Sequence, residues 1–137
     1  MRNLRAGITA AGDVARWPHP LFGEEMRIEH WTHAIEMGEA AARRLLATPE
    51  AAEPFAPVPY VWTDQYDRKL QMAGRIAQKD LMEIIQGSLE ERRFVAVFGR
   101  EGRLTGALAM NRPAAVIRLK QRIAQGAAFA DVVAGAQ

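Results

Sequence analysis

Residues 48–58 constrain this chain most, because Pro49, Pro54 and Pro57 stand there among small and acidic residues. Proline fixes φ and carries no N–H, so neither a helix interior nor a central strand runs through such a stretch. The chain is therefore expected to divide. Residues 1–47 come before this linker, residues 59–125 form the main unit after it, and residues 126–137 trail behind. The apolar spacing also changes across it, from helical before to a period of two after.

Before the linker, Ile8 to Val14 is short, apolar and closed by Gly12-Asp13, which reads as the end of a buried strand entering a turn. Trp17 to Gly23, punctuated by Pro18 and Pro20, reads as a loop, and Arg27 to Glu29 as a short strand. A helix is expected from Thr32 to Leu46. Thr32 would be its N-cap, Ile35, Gly38, Ala42 and Leu45 its apolar spacing, and Arg43 and Arg44 the cations of its last turn. A strand–loop–helix piece of this size is too small to bury its own apolar face, so it looks like the tail of a larger α/β domain.

After the linker, Leu70 to Ala73, Leu81 to Ile85 and Phe94 to Phe98 alternate as strands do. Gly99 to Arg103 has hairpin length, and Leu104 to Met110 returns as a strand. Pro113 opens a helix to about Gln125, with Val116, Ile117, Leu119 and Ile123 as its apolar side. The alanine-rich end after Gly126 is expected to be loosely ordered. The class is α+β: an antiparallel sheet with a packed C-terminal helix, preceded by the remnant of an α/β domain.

Composition removes several functions. There is no cysteine, so no disulfide, thiolate nucleophile or Cys-held zinc or iron–sulfur cluster can form, and the chain is not itself a ferredoxin. Apolar runs fall far short of the roughly 20 residues that cross a bilayer, and no leader opens the sequence, so a cytoplasmic protein without membrane attachment is expected. A formal charge of +2 does not support nucleic-acid binding. Arg112, Arg118, Lys120 and Arg122 against the single acid Asp131 make the end locally basic, suited to an acidic protein partner. His19, His30 and His33 lack zinc-site spacing, so no metal is expected. No nucleophile–base arrangement is visible, and Glu24-Glu25 and Glu90-Glu91 read as solvated turns.

Three places have residues suited to a ligand. Gly12 permits a sharp turn that would present the Asp13 carboxylate to a sugar-alcohol hydroxyl; alone, the dipeptide reads more readily as an ordinary turn. Glu29-His30-Trp31-Thr32 precedes a helix, whose first N–H groups and partial positive charge suit an electron-rich carbonyl. Equally, Trp31 could simply pack and Glu29 cap. Trp62 has an indole face able to shield a flat cofactor, or to fill a core.

Taken together and in this order, Ala10-Ala11-Gly12-Asp13-Val14-Ala15, Glu29-His30-Trp31-Thr32 and Trp62-Thr63-Asp64-Gln65 resemble the C-terminal portion of the FAD-dependent, NADH-dependent ferredoxin reductases of oxygenase systems, a group of the pyridine nucleotide-disulfide oxidoreductase-like superfamily. Asn111-Arg112-Pro113 matches as well, and the likeness runs from about Ile8 to Ile123. It implies that Asp13 meets the ribityl chain of FAD. Gly12, Val14, His30 and Trp31 would lie at the flavin, and Trp62 would cover it. His33 departs from the asparagine many relatives carry. The implied partners are a small iron–sulfur ferredoxin or rubredoxin, and either an N-terminal reductase portion or a second copy of the chain. Neither G-x-G-x-x-G nor a preceding βαβ unit occurs within these residues, so only a partial FAD site and no NADH site are expected. Catalysis by the chain alone is not. A non-catalytic interaction or dimerisation module is the alternative.

Overall fold

The computed structural model describes residues 8–48, 51 and 53–136. The chain falls into two compact units, Met1–Pro59 and Tyr60–Gln137.

In the first unit a 3-10 turn, Gly12–Val14, leads to strand β1 (Trp17–His19), strand β2 (Glu24–Met26) and helix α1 (Trp31–Leu46). The strands pair antiparallel, Trp17 opposite Met26 and His19 opposite Glu24. Several expectations are corrected here. Residues 8–11 form no strand, Ile8 and Val14 are exposed, and Gly12–Val14 is helical rather than extended. The proline-punctuated loop is a hairpin: Pro18 sits in a three-residue strand where few ladder bonds are needed. The second strand ends at Met26, ahead of Arg27–Glu29, and so takes in Glu24 and Glu25.

Helix α1 begins one residue early, with His30 rather than Thr32 at the N-cap. Its buried stripe is His33, Met37 and Ala41, whereas Ile35 and Leu45 are each 54% exposed. The i, i+4, i+8 spacing is that of an amphipathic helix, but its first core position holds a histidine, which hydrophobicity alone assigns to solvent. That ring stacks on Trp17 at 5.0 Å between centroids and 22° between planes. Ala15, Trp17, Met26, Ile28 and Met37 make the core, with Phe22 and Phe55 packed against it. The indole N–H of Trp17 donates to the Phe55 carbonyl at 3.1 Å, and His19 Nε2 lies 2.8 Å from the Pro57 carbonyl. The linker's second half is thus bonded to the first unit's hairpin.

The second unit is a five-stranded antiparallel sheet in the order β3-β4-β7-β6-β5. Its strands are β3 (Tyr60–Gln65), β4 (Arg68–Gly74), β5 (Leu81–Ser88), β6 (Arg93–Arg100) and β7 (Arg103–Met110). Helix α2 (Pro113–Ala124) packs on β4 and β7, burying Ala115, Val116, Leu119 and Ile123. Ala73, Ala107 and Ala109 are fully buried on these strands, their small side chains allowing close approach of the helix. Ile117, expected on the apolar side, is exposed. The β6–β7 connection contracts to Glu101-Gly102, with φ of 52° and 77°, the two positive values that suit the twist of a two-residue hairpin.

The end of the chain is ordered, contrary to expectation. Phe129–Ala134 forms helix α3, the Leu104 N–H donates to the Ala127 carbonyl at 2.9 Å, and the Phe129 N–H donates to the Gly102 carbonyl at 2.9 Å. These bonds anchor the tail to the β6–β7 hairpin. The architecture is α+β. Among the described residues no helix is long and apolar enough to cross a membrane.

Candidate functional site

The 3-10 turn and the start of α1 lie against each other. Gly12 has φ of +74°, a left-handed conformation that strains any residue with a side chain. A Cβ there would meet only Ala34 at ordinary contact distance, so conformation rather than space demands glycine. Asp13 is exposed, and its charge acts on His30 and His33. The turn closes with the Ala15 N–H on the Gly12 carbonyl at 2.9 Å.

His30, the N-cap residue of α1, makes no side-chain cap bond, and no acid stands in the first turn. Neither of these usual sources of compensation meets the partial positive charge of the helix start. Beside it Trp31 and Val14 are each 81% exposed. Two apolar side chains in water at the helix start offer a flat face and main-chain donors together. This group brings together five of the six candidates: Gly12, Asp13, Val14, His30 and Trp31.

Three histidines lie behind it. Burial pushes the His33 imidazole down to about 4, with His30 and His19 adding to the fall and Asp13 opposing it. His30 is lowered by burial against the pull of Asp13. His19 is lowered by burial, against its bond to the Pro57 carbonyl and the charge of Glu24. All three rings are therefore held toward the neutral form. Among the described residues His30 Nδ1, His19 Nδ1 and both ring nitrogens of His33 are buried without a hydrogen-bond partner. The sequence carried no sign of this cluster, since spacings of 11 and 3 residues match no familiar motif.

Trp62 lies in the second unit, on edge strand β3 opposite Gln71, and is 44% exposed. Its ring stands 5.7 Å from that of Tyr60. The Tyr60 hydroxyl accepts from Gln71 Nε2 at 2.6 Å, and the Lys120 ammonium lies 5.6 Å from the Tyr60 ring centre. Val61, Trp62, Leu70, Met72 and Leu108 line a shallow apolar groove of about 190 Å³. Trp62 is thus neither a core residue nor fully free in solvent. Tyr60 and Gln71, which steady it, were not recognised as partners in the sequence.

The chain belongs to the Reductase C-terminal family, which matches residues 60–136. It is 33% identical, over 92% of its length, to the anthranilate 1,2-dioxygenase system ferredoxin–NAD(+) reductase component of Burkholderia cepacia, of which it covers 30%. It is 34% identical, over 90% of its length, to apoptosis-inducing factor 3 of Homo sapiens, covering 20% of that protein. The covalent putidaredoxin reductase–putidaredoxin complex superposes with a TM-score of 0.73 at 28% identity, over 85% of this chain and 27% of the reductase chain. The chain therefore spans less than a third of the length of these relatives.

The first-unit residues offer apolar surface in Trp31 and Val14, main-chain N–H donors at the start of α1, and an exposed carboxylate in Asp13. The sequence contains no glycine-rich loop for a pyrophosphate.

Proposed function

We propose that this chain is the C-terminal, partner-side part of an FAD-dependent ferredoxin reductase and does not turn over NADH by itself. The observation that carries the reading is the 3-10 turn seated on the start of α1, with Trp31 and Val14 exposed beside it. When bound, the flavin accepts a hydride from NADH and releases single electrons to an iron–sulfur protein. The residues of this chain orient and shield it. Asp13 accepts hydrogen bonds from the ribityl chain, and the α1 N–H groups favour negative charge on the pyrimidine edge. His30 and Gly12 shape the contact. Exposed Arg118 and Arg122 on α2 supply positive charge toward an acidic iron–sulfur partner. The family likeness over residues 60–136 supports this reading.

A dimerisation module is the second reading. Edge strand β5 favours it, since Leu81, Met82 and Ile84 are exposed along an unpaired strand edge.

The test is a titration of the chain with FAD, FMN and riboflavin, followed by flavin fluorescence and visible absorbance. The chain holds the ring and ribityl but has no pyrophosphate loop. The three ligands should therefore bind within a few-fold of each other, and Trp31→Ala and Asp13→Ala should each weaken all three by about tenfold, the loss of one good contact. No spectral change at high flavin overturns the site.

A further inference from the structure

We propose that His33 is a proton-operated latch on the strap formed by residues 53–58. Two side chains of β1 hold the strap by its main chain: Trp17 donates to the Phe55 carbonyl at 3.1 Å, and His19 Nε2 bonds the Pro57 carbonyl at 2.8 Å. The Phe55 ring adds a third hold, 5.7 Å from Trp17 and 5.5 Å from His33. His33 touches both the clamp and the clamped segment, since its ring also stacks on Trp17.

The His33 side chain is 1% exposed, and neither of its nitrogens has a hydrogen-bond partner among the described residues. Buried polar atoms are nearly always partnered, and this ring is an exception whose recorded holds are its packing on Trp17 and Phe55. A proton taken from solvent turns it into a cation with two N–H donors and no acceptor for either. The charged groups acting on it are Asp13 from the 3-10 turn, which favours the cation, and His30 and His19, which oppose it; Glu24 on β2 acts on His19. Attraction to the Trp17 face offsets part of the cost, but the two buried donors still require water. Reaching water means leaving the stack, and Phe55 then loses one of its two ring neighbours.

The direction follows from the ring's lowered titration point of about 4 against an ordinary 6.5. The open, solvated state binds the proton more readily than the closed one. Closure is fully favoured above 6.5, weakens as pH falls from 6.5 to about 4, and changes no further below that. The device is independent of the flavin reading.

Nuclear magnetic resonance on the labelled whole chain tests it. The His33 Cε1–H shift reports the proton, and the Trp17 indole N–H reports the bond to Phe55. As His33 titrates below pH 6, the protection of the Trp17 indole N–H from exchange should fall at least about tenfold with the same midpoint. Trp62 in the other unit should not follow it. His33→Phe keeps the stack and removes the titration, so the loss of protection should move to lower pH. Overturning results are a His33 midpoint at its ordinary value, Trp17 protection unchanged as His33 titrates, or an unshifted loss in His33→Phe. Should His33→Phe fail to fold, the coincidence of the two wild-type midpoints decides alone.

Discussion

Asn111 closes the ladder between β4 and β7 with both main chain and side chain. Its N–H donates to the Lys69 carbonyl at 2.9 Å, and its Oδ1 accepts from the Lys69 N–H at 2.8 Å. It does so with φ of 54°, a left-handed conformation that asparagine tolerates better than most residues. Asn111→Ala strands a part-buried donor and adds strain, so it should cost about 2 kcal/mol. Asn111→Gly relieves the strain but not the lost acceptor, and should cost about 1 kcal/mol. Urea midpoints of the two variants check the order; equal costs would mean that only the acceptor matters. The Asn111-Arg112-Pro113 run was legible as a turn with Pro113 opening a helix. The bond to Lys69 was not, because it joins residues 42 apart and leaves no local pattern. The same holds for His33, whose burial depends on the ring of Trp17 rather than on its neighbours in sequence.

Among the elements, those carrying their own period were legible and those held by tertiary contacts were not. Strands β4, β5 and β6 were legible from their spacing and β7 as the return of a hairpin, although burial along β6 is continuous from Phe94 to Val97, and α2 carries proline at its start. Strand β3 has the polar run Thr63-Asp64-Gln65 because it lies at an edge, where both faces of those residues meet water. Strands β1 and β2, of three residues each, are too short to show a period. Helix α3 has six residues, below the length at which propensity alone sustains a helix, so contact must hold it. Besides the main-chain bonds to the hairpin, that contact includes Phe129 on Gly99, where an added Cβ would clash with the phenyl ring. Gly99→Ala should therefore dislodge α3 and cost about 2 kcal/mol through overpacking. Phe129→Ala removes the obstructing ring, so the double variant should cost less than the sum of the singles by about 1 kcal/mol or more. A denaturant double-mutant cycle measures this; strict additivity would show that Gly99 is needed for some other reason. Of the candidate site, the residue types and order were legible. The helical form of Gly12–Val14 was not, since a short apolar run ending in Gly-Asp is equally a strand end.

At the scale of the molecule, the two units place their titratable groups on opposite sides of the acid range. The first holds three histidines toward neutrality, and so loses stability as pH falls from 6.5 toward 4. The second holds the buried Asp80 carboxylate, which accepts from Arg100 Nε at 2.6 Å and from the Ala77 N–H at 2.7 Å. The Arg100 bond lowers its titration point most, against burial, and the Ala77 N–H and the charges of Arg100 and Lys79 lower it further. A depressed carboxylate stabilises the fold above its ordinary value of 3.8, and that contribution is lost as pH falls through and below it. The first unit should therefore loosen before the second on acidification. Asp80→Asn isolates the second effect. At pH 7 it should cost about 2 kcal/mol, the worth of hydrogen bonds to a charged group with Arg100 left partly exposed to water. As pH falls below the ordinary 3.8 the wild-type carboxyl is progressively neutralised, so the gap between wild type and variant should shrink. Urea unfolding followed by circular dichroism at pH 7 and at successively lower pH measures that gap. A constant difference would place the contribution of Asp80 in its bond to Ala77 and its packing, and would remove charge from the account of how the sheet resists acid.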